Sequence, residues 1–484
     1  MKTDTIAAVA TAMSDSGIGI IRISGEEAVK IVSKIYENVN HEKTLDQYDS
    51  HTIHYGFILD EDGTFLDEVM VSVMKSPRSY TTEDTVEINC HGGIFMMKKI
   101  LMAVVKAGAR IAEPGEFTKR AFLNGRIDLS RAEAVMDIIH AKNEFALQSS
   151  VNQLKGSVSD KIIKLREEIL YEIAFIESAL DDPEHISLEH YHERLSDKSE
   201  HIIIELDKLL ESADDGRMLK EGINTVILGK PNAGKSSLLN LLAGKERAIV
   251  TDVAGTTRDT LEETIILGDI SLNVIDTAGI RNTEDVVEKI GVEKARKISE
   301  QSDLILYVID SSVPLDESDR DIVRMIKEKN TVILLNKSDL EEVVSEQSVS
   351  DIIEEVMGRD IKIVSDISVC QKTESDIPCI YMIKTSTKRE DGIEVLTSLI
   401  RDMFFHGQLS YNDEVYITNI RHKEAVYDAR KSMDEVRKSL EMDMPEDFYS
   451  IDLMNAYSSL GMIIGEEIGD DLINEIFSKF CMGK

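Results

Sequence analysis

The octapeptide Gly229-Lys230-Pro231-Asn232-Ala233-Gly234-Lys235-Ser236 has the G-x-x-x-x-G-K-[ST] spacing of a phosphate-binding loop. It follows the β-branched run Thr225-Val226-Ile227-Leu228 and precedes the helix-forming run Ser237-Leu238-Leu239-Asn240-Leu241-Leu242, the strand-loop-helix context that the motif needs. The glycines let successive amides curl toward phosphate oxygens, and the helix N-terminus adds a favourable dipole. Lys235 then reaches the phosphates and the Ser236 hydroxyl is placed to ligate magnesium. Asn232 to Ser237 are therefore nucleotide-contact candidates, with Ala233 and Gly234 contributing through their backbone.

Three further elements follow in a fixed order. Asp276-Thr277-Ala278-Gly279 ends the strand Leu272-Asn273-Val274-Ile275, where an acid can hold the magnesium shell and a glycine amide can sense a γ-phosphate. Asn336-Lys337-Ser338-Asp339 follows the strand Thr331 to Leu335, so that Asp339 can accept from guanine N1 and its 2-amino group. Adenine lacks that donor pair, and the base is read as guanine. Between the phosphate loop and the first of these lies Thr251-Asp252-Val253-Ala254-Gly255-Thr256-Thr257-Arg258-Asp259, a polar loop with threonines for magnesium and the order of a first switch. Ser386-Thr387-Lys388, after the strand Ile380 to Ile383, is expected to close over the base. Ile280 stands where Ras-like enzymes place the glutamine that orients the attacking water. Glu284, Asp285 and Glu288 are alternatives for that task, and spacing does not choose among them.

The elements that carry these loops read as strands alternating with helices up to about Arg401, the pattern of a mostly parallel sheet with crossover helices. Residues 1 to about 118 alternate short strands, including Ile18 to Ile23 and Thr85 to Asn89, with a helix from Gly93 to Gly108. Strand signals vanish from Phe117 to about Asp214, where Ile162, Leu165, Ile169, Ile173 and Ile176 mark a long amphipathic helix. After Tyr411 the chain is helical again. We expect an α+β domain at 1–118, a helical domain in two segments at 119–215 and 403–484, and an inserted α/β nucleotide domain at 216–402. An independent C-terminal bundle would give the same pattern.

With 484 residues, length alone suggests two to four domains. The 55 Lys and Arg against 90 Asp and Glu give a formal net charge of −35. That balance disfavours a global grip on nucleic acid and leaves a local basic patch or a basic partner to hold any RNA. The amino terminus lacks a secretory pattern and no stretch is apolar enough to span a bilayer, so a cytoplasmic location and no membrane partner are expected. Cys90, Cys370, Cys379 and Cys481 lack zinc-ligand spacing and are read as reduced thiols.

This ordered set resembles the MnmE (TrmE) family of tRNA-modification GTPases. The resemblance extends to Asp4-Thr5-Ile6-Ala7-Ala8, Gly17 to Gly25, Tyr80 to Asp84 with Cys90-His91-Gly92-Gly93, Glu113 to Arg126, and the ending Cys481-Met482-Gly483-Lys484. It implies a homodimer made through the N-terminal domains, 5-formyl- or methylene-tetrahydrofolate as one-carbon source, and an FAD-containing partner, MnmG, in a heterotetramer. The implied reaction is installation of an aminomethyl or carboxymethylaminomethyl group at C5 of the wobble uridine of certain tRNAs. Carried over residue by residue, it implies a folate site at Arg22, Glu87, Arg126 and Lys484, and a role for Cys481 in the modification site. It further implies potassium held by Asn232, Thr251, Val253 and Thr256, magnesium held by Ser236 and Thr257, and Glu288 as the residue that orients water, with hydrolysis linked to pairing of nucleotide domains. Two competing readings are a binding-switch GTPase of ribosome assembly or signalling and a folate-dependent transferase with a vestigial nucleotide domain. The first would carry an RNA-binding appendage or a second phosphate loop, which the sequence lacks, and the intact phosphate loop disfavours the second.

Overall fold

The computed structural model describes every residue except 1–3, 40–43, 183, 186–189, 246–261, 269, 276–298, 327–328, 358–361, 365–378, 406–414, 416 and 484. The chain divides into two compact units, one made of residues 1–140, 150–207 and 424–484 and the other of 141–149 and 208–423.

In the first unit, β1 (Ile6–Val9), β2 (Ser16–Ser24), β3 (Tyr36–Asn38), β4 (Thr52–Leu59), β5 (Phe65–Met74), β6 (Thr85–Gly92) and β7 (Arg110–Ile111) form one sheet in the order β3-β4-β5-β6-β2-β1-β7. All its ladders are antiparallel except β1 with β7. The period-two pattern puts Ile21, Ile23, Val71, Val73, Val86 and Ile88 into a core with α1 (Ala28–Ser33) and α2 (Ile94–Ala107). Helix α2 stops at Gly108, whose φ of 128° suits a residue without Cβ. The opposite face keeps Ile53, Tyr55 and Met70 exposed, Tyr55 and Met70 being cross-strand partners.

The helical part of this unit contains α3 (Glu116–Leu123), α4 (Leu129–His140), the second half of α5 (Glu144–Lys155), and α6 (Ser157–Asp181). Helix α7 (Tyr191–Glu221) begins here and runs into the second unit. Ile162, Leu165, Ile169, Ile173 and Ile176 are all buried along α6, the stripe that their spacing predicts.

The second unit holds β8 (Ile223–Leu228), α8 (Lys235–Lys245), β9 (Glu262–Leu267), β10 (Ile270–Ile275), β11 (Leu304–Asp310), α9 (Glu317–Met325), β12 (Asn330–Asn336), α10 (Glu346–Met357), β13 (Lys362–Val364), β14 (Cys379–Lys384) and α11 (Ile393–Phe405). Its sheet runs β13-β14-β12-β11-β8-β10-β9, parallel throughout except for the β9–β10 hairpin. Every residue of β11 is buried, as a central strand covered on both faces requires. The start of α5 also belongs here. Asn143 accepts from the Ala146 amide at 2.7 Å and donates to Ser271 Oγ at 2.9 Å, while Phe145 joins the core of Leu272, Val274 and Leu306.

Helices α12 (Ile420–Glu441), α13 (Glu446–Ile464) and α14 (Asp470–Ser478) end the chain. In the first unit, Arg166 of α6 lies 4.0 Å from the centroid of Tyr457 on α13 and donates from Nε to its carbonyl at 3.2 Å. Phe477 of α14 packs against Phe122 of α3. Gly115, at φ 68°, allows the approach: a Cβ there would sit 2.5 Å from the Phe477 carbonyl oxygen.

Candidate functional site

Strand β8 lies between β10 and β11, so the crossovers leave it in opposite directions and the loop at its carboxyl end opens at a switch point of the sheet. That loop is Gly229 to Gly234. Gly229 (φ 149°) passes so close to β11 that a Cβ would lie 2.3 Å from the Val308 carbonyl oxygen. The Ala233 amide donates to the Lys230 carbonyl at 3.3 Å, closing a turn with Pro231 and Asn232 at its centre. Asn232 has φ 64°, a conformation that Asn tolerates and that such a turn requires at its third position. Gly234 (φ 105°) has no room for a side chain, because a Cβ would be 2.1 Å from Asn336 Nδ2. Lys235 Nζ rests on the Gly229 and Lys230 carbonyls at 2.6 and 2.8 Å, on the inside of the curl. Ser236 is half-buried in the first turn of α8, and Ser237 is exposed beside it.

The loops after β12 and β14 meet this one. Asn336 donates through Nδ2 to the Ala233 carbonyl at 2.8 Å and accepts through Oδ1 from the Thr387 amide at 3.2 Å. One buried amide thereby ties three loops together. Ser386 Oγ donates to Asp339 Oδ1 at 2.8 Å, which holds the Asp339 carboxyl below its ordinary range and keeps it an acceptor. Lys337 (φ 63°) donates to Asp310 Oδ2 at 2.5 Å, and Asp310 Oδ1 accepts from the Ser312 amide and hydroxyl. Burial of Asp310 opposes its ionisation, but Lys337 and Ser312 prevail and hold its pKa below the usual value. Sequence reading missed Asp310. The sequence carries no signal for it, because the parallel register that sets Asp310 beside Asn336, the residue before Lys337, appears only in the structure.

The phosphate-loop, Asn336–Asp339 and Ser386–Thr387 candidates thus converge. A loop pinched at two glycines, followed by a lysine and a serine hydroxyl at the start of a helix, can take up phosphate groups, and Asn232 in its turn is exposed. Thr251, Asp252, Val253, Ala254, Gly255, Thr256, Thr257, Asp276, Thr277, Ala278, Gly279 and Glu288 lie outside the described residues, as do Ile280, Glu284 and Asp285.

A second cluster lies in the first unit. Arg22 on β2 and Glu87 on β6 are register partners, joined Nε to Oε1 at 2.8 Å, with their side chains 19% and 22% exposed. Arg22 Nη1 also donates to the Gly483 carbonyl at 3.1 Å, bringing the C-terminal tail onto this sheet. A Cβ at Gly483 would be 2.3 Å from the Val9 carbonyl oxygen, so only glycine fits that seat. Arg126 donates to the Tyr80 carbonyl at 3.0 Å, and both guanidiniums lie over the Tyr80 ring, Arg22 at 5.7 Å and Arg126 at 4.9 Å. Two cations, a carboxylate and an aromatic face suit a ligand that has carboxylates at one end and a flat donor edge at the other, the chemistry of a folate. Exposed Cys481 has its carbonyl bonded to the Gly115 amide at 3.3 Å, and Lys484 lies outside the described residues.

Among the described residues no helix is long and apolar enough to cross a membrane. Residues 5–126 match the family model described as GTP-binding protein TrmE N-terminus, and residues 129–481 match that of the MnmE helical domain. The tRNA modification GTPase MnmE of Lachnoclostridium phytofermentans is 54% identical over 484 residues, covering 100% of both chains. Those of Clostridioides difficile and Alkaliphilus oremlandii are each 44% identical, over 99% of both chains. Identity of this extent along the whole length places the chain in the family of tRNA modification GTPases MnmE.

Proposed function

We propose that this chain hydrolyses GTP and, with the FAD-containing partner MnmG, modifies C5 of the wobble uridine of certain tRNAs to aminomethyl- or carboxymethylaminomethyl-uridine. The observation that carries the reading is the occurrence, in one chain of this family, of both clusters described above: a guanine-type loop set and a cationic-aromatic seat closed by the C-terminal tail. The domain plan that goes with it is 1–118 for folate and dimerisation, 119–215 with 403–484 as the helical domain, and 216–402 for GTP.

In the nucleotide domain, Asp339 accepts from guanine N1 and the 2-amino group, with Ser386 and Thr387 closing beside the base. Lys235 shifts from the Gly229 and Lys230 carbonyls to the phosphate oxygens. Ser236 and Thr257 hold magnesium, and Asn232 with Thr251, Val253 and Thr256 holds potassium. When bound, these ions supply positive charge where negative charge develops on the transferring phosphoryl group. Glu288 orients the attacking water. Asp252, Ala254 and Gly255 line the switch, and Asp276 to Gly279 sense the γ-phosphate.

In the N-terminal domain, Arg22, Arg126 and Lys484 hold the folate carboxylates and Glu87 accepts from the pterin. The folate, as 5-formyl- or methylene-tetrahydrofolate, supplies the one-carbon unit when bound. Cys481, on the tail beside that seat, acts in the modification site. The exposed apolar face of Ile53, Tyr55 and Met70 supports a homodimer through this domain, since a second copy would remove it from water. The dimer joins MnmG as a heterotetramer in the cytoplasm. The test is nucleoside analysis of tRNA from cells lacking the gene. Uridine without its C5 group at the wobble position is the expected result, and an unchanged nucleoside profile removes the reading.

A further inference from the structure

We propose that Lys230 is a positioning residue that sets the geometry of Asn232 through an anchor on α9, and thereby tunes the potassium requirement of GTP hydrolysis. The inference rests on the reading of Asn232 as a potassium ligand.

Lys230 occupies the first position of the turn whose third residue is Asn232. Its side chain turns away from the phosphate side of the loop. Nζ donates to Asp319 Oδ2 at 2.7 Å, Asp316 Oδ2 at 3.1 Å and the Pro314 carbonyl at 3.3 Å. The anchor is itself hydrogen-bonded. Asp319 is 2% exposed in its side chain, accepts from Tyr307 Oη at 2.8 Å through Oδ1, and accepts from the Asp316 amide at 2.8 Å through Oδ2. Tyr307 is buried in β11, the strand against which Gly229 packs. Asp316 caps α9 by accepting from the Ser318 amide at 2.9 Å. These bonds complete a capping box, so both carboxylates are fixed before Lys230 meets them.

The phosphate loop is consequently pinned on both sides of Asn232. Asn336 holds Ala233 on one side and the Asp316–Asp319 pair holds Lys230 on the other. The turn supplies the left-handed conformation of Asn232, but its placement is set by the two flanks that hold the turn. Releasing the outer flank lets Asn232 move, whereas the inner flank and Lys235 still meet the phosphates. The expected signature is a weakened response to the monovalent cation with GTP binding nearly intact. A lysine that served only folding would show the reverse.

The experiment measures GTP turnover of the full chain against KCl at constant ionic strength, with GTP affinity and thermal unfolding measured in parallel. Lys230→Met is expected to raise the KCl concentration for half-maximal turnover by about tenfold or more, the scale on which small misplacements act. GTP affinity should change by less than about threefold, because the phosphate contacts of the inner limb remain. Asp319→Asn should move the same quantity in the same direction, and Lys230→Arg should restore it. An unchanged KCl requirement in Lys230→Met overturns the inference, as does a loss confined to GTP affinity or unfolding temperature. Equal turnover of the unmodified chain in KCl and NaCl overturns the underlying potassium reading and this inference with it. That failure is recognisable because it appears without any substitution.

Discussion

In the nucleotide unit, the side chains that meet are carried on loops at the carboxyl ends of neighbouring parallel strands, each loop a run of a few residues. In the N-terminal sheet they come from two antiparallel neighbours, from the start of the helical segment and from the far end of the chain: Arg22 and Gly483 are 461 positions apart. A parallel sheet gathers the ends of its strands along one edge, so a single short motif per loop suffices. An antiparallel sheet offers its face instead, and function there must be assembled from whatever the rest of the chain lays across it. The first kind of site should fail in discrete, motif-sized steps. The second should fail by loss of one ligand without disturbing distant chemistry.

The largest expected effect is at the base. Asp339→Asn should exchange preference for GTP against xanthosine triphosphate by several kcal/mol, on the order of 10⁴-fold, because each base then leaves a polar edge unpaired in the wrong pocket. Competition binding measures it, and unchanged GTP preference would remove Asp339 from base recognition. Next is catalysis. Glu288→Ala should slow turnover by about 10²- to 10³-fold with GTP affinity preserved. Asn232→Ala should abolish most of the difference between potassium and sodium chloride. A fully active Glu288→Ala enzyme would leave the water without an assigned partner.

At the other sheet, Arg22→Ala should cost about 2–3 kcal/mol of 5-formyltetrahydrofolate affinity, the range of a charge-assisted bond, by calorimetric titration. GTP turnover should stay within about twofold, because the two sites share no residue. Unaltered folate affinity would return Arg22 to an ordinary ion pair.

The smallest effect concerns Asp310 and Lys337. Asp310 titrates below its ordinary value of 3.8 in the folded chain, so its contribution is present above that value and is lost as pH falls through the lower folded value. Asp310→Asn should therefore destabilise the nucleotide domain by about 1 kcal/mol near neutrality. In denaturant unfolding the gap between the two proteins should begin to shrink below about pH 4, where the unfolded-state carboxyl binds its proton, and close as pH falls through the lower folded value. A gap that persists in acid would assign the effect to packing.

The same contrast explains what could be read from the sequence. The phosphate loop, Asn336–Asp339 and Ser386–Thr387 are local words, each attached to a strand with clear β-branched pattern, and all meet in the structure. The amphipathic stripe of α6 is equally local. Asp310, the place of Tyr80 beneath two guanidiniums and the Lys230–Asp319 tie were invisible because their partners lie on other elements, and no periodicity records which loop faces which. The first turn of α5 gave no sign that Phe145 would join the nucleotide core, since helical spacing is indifferent to which unit supplies the partner. Arg22, Glu87 and Arg126 were reached by resemblance, and spacing alone would have left Arg22 and Glu87 as one more cross-strand ion pair.

The central claim is that a locally built GTP site and a globally assembled folate seat serve one reaction on tRNA. Its most direct measurement is the modified-nucleoside content of tRNA from cells whose only copy of the gene encodes the unmodified chain, Asp339→Asn or Arg22→Ala. The account predicts C5-modified wobble uridine with the unmodified chain and its loss with both variants, even though the purified Arg22→Ala protein still turns over GTP. Full modification in the Arg22→Ala cells would contradict it.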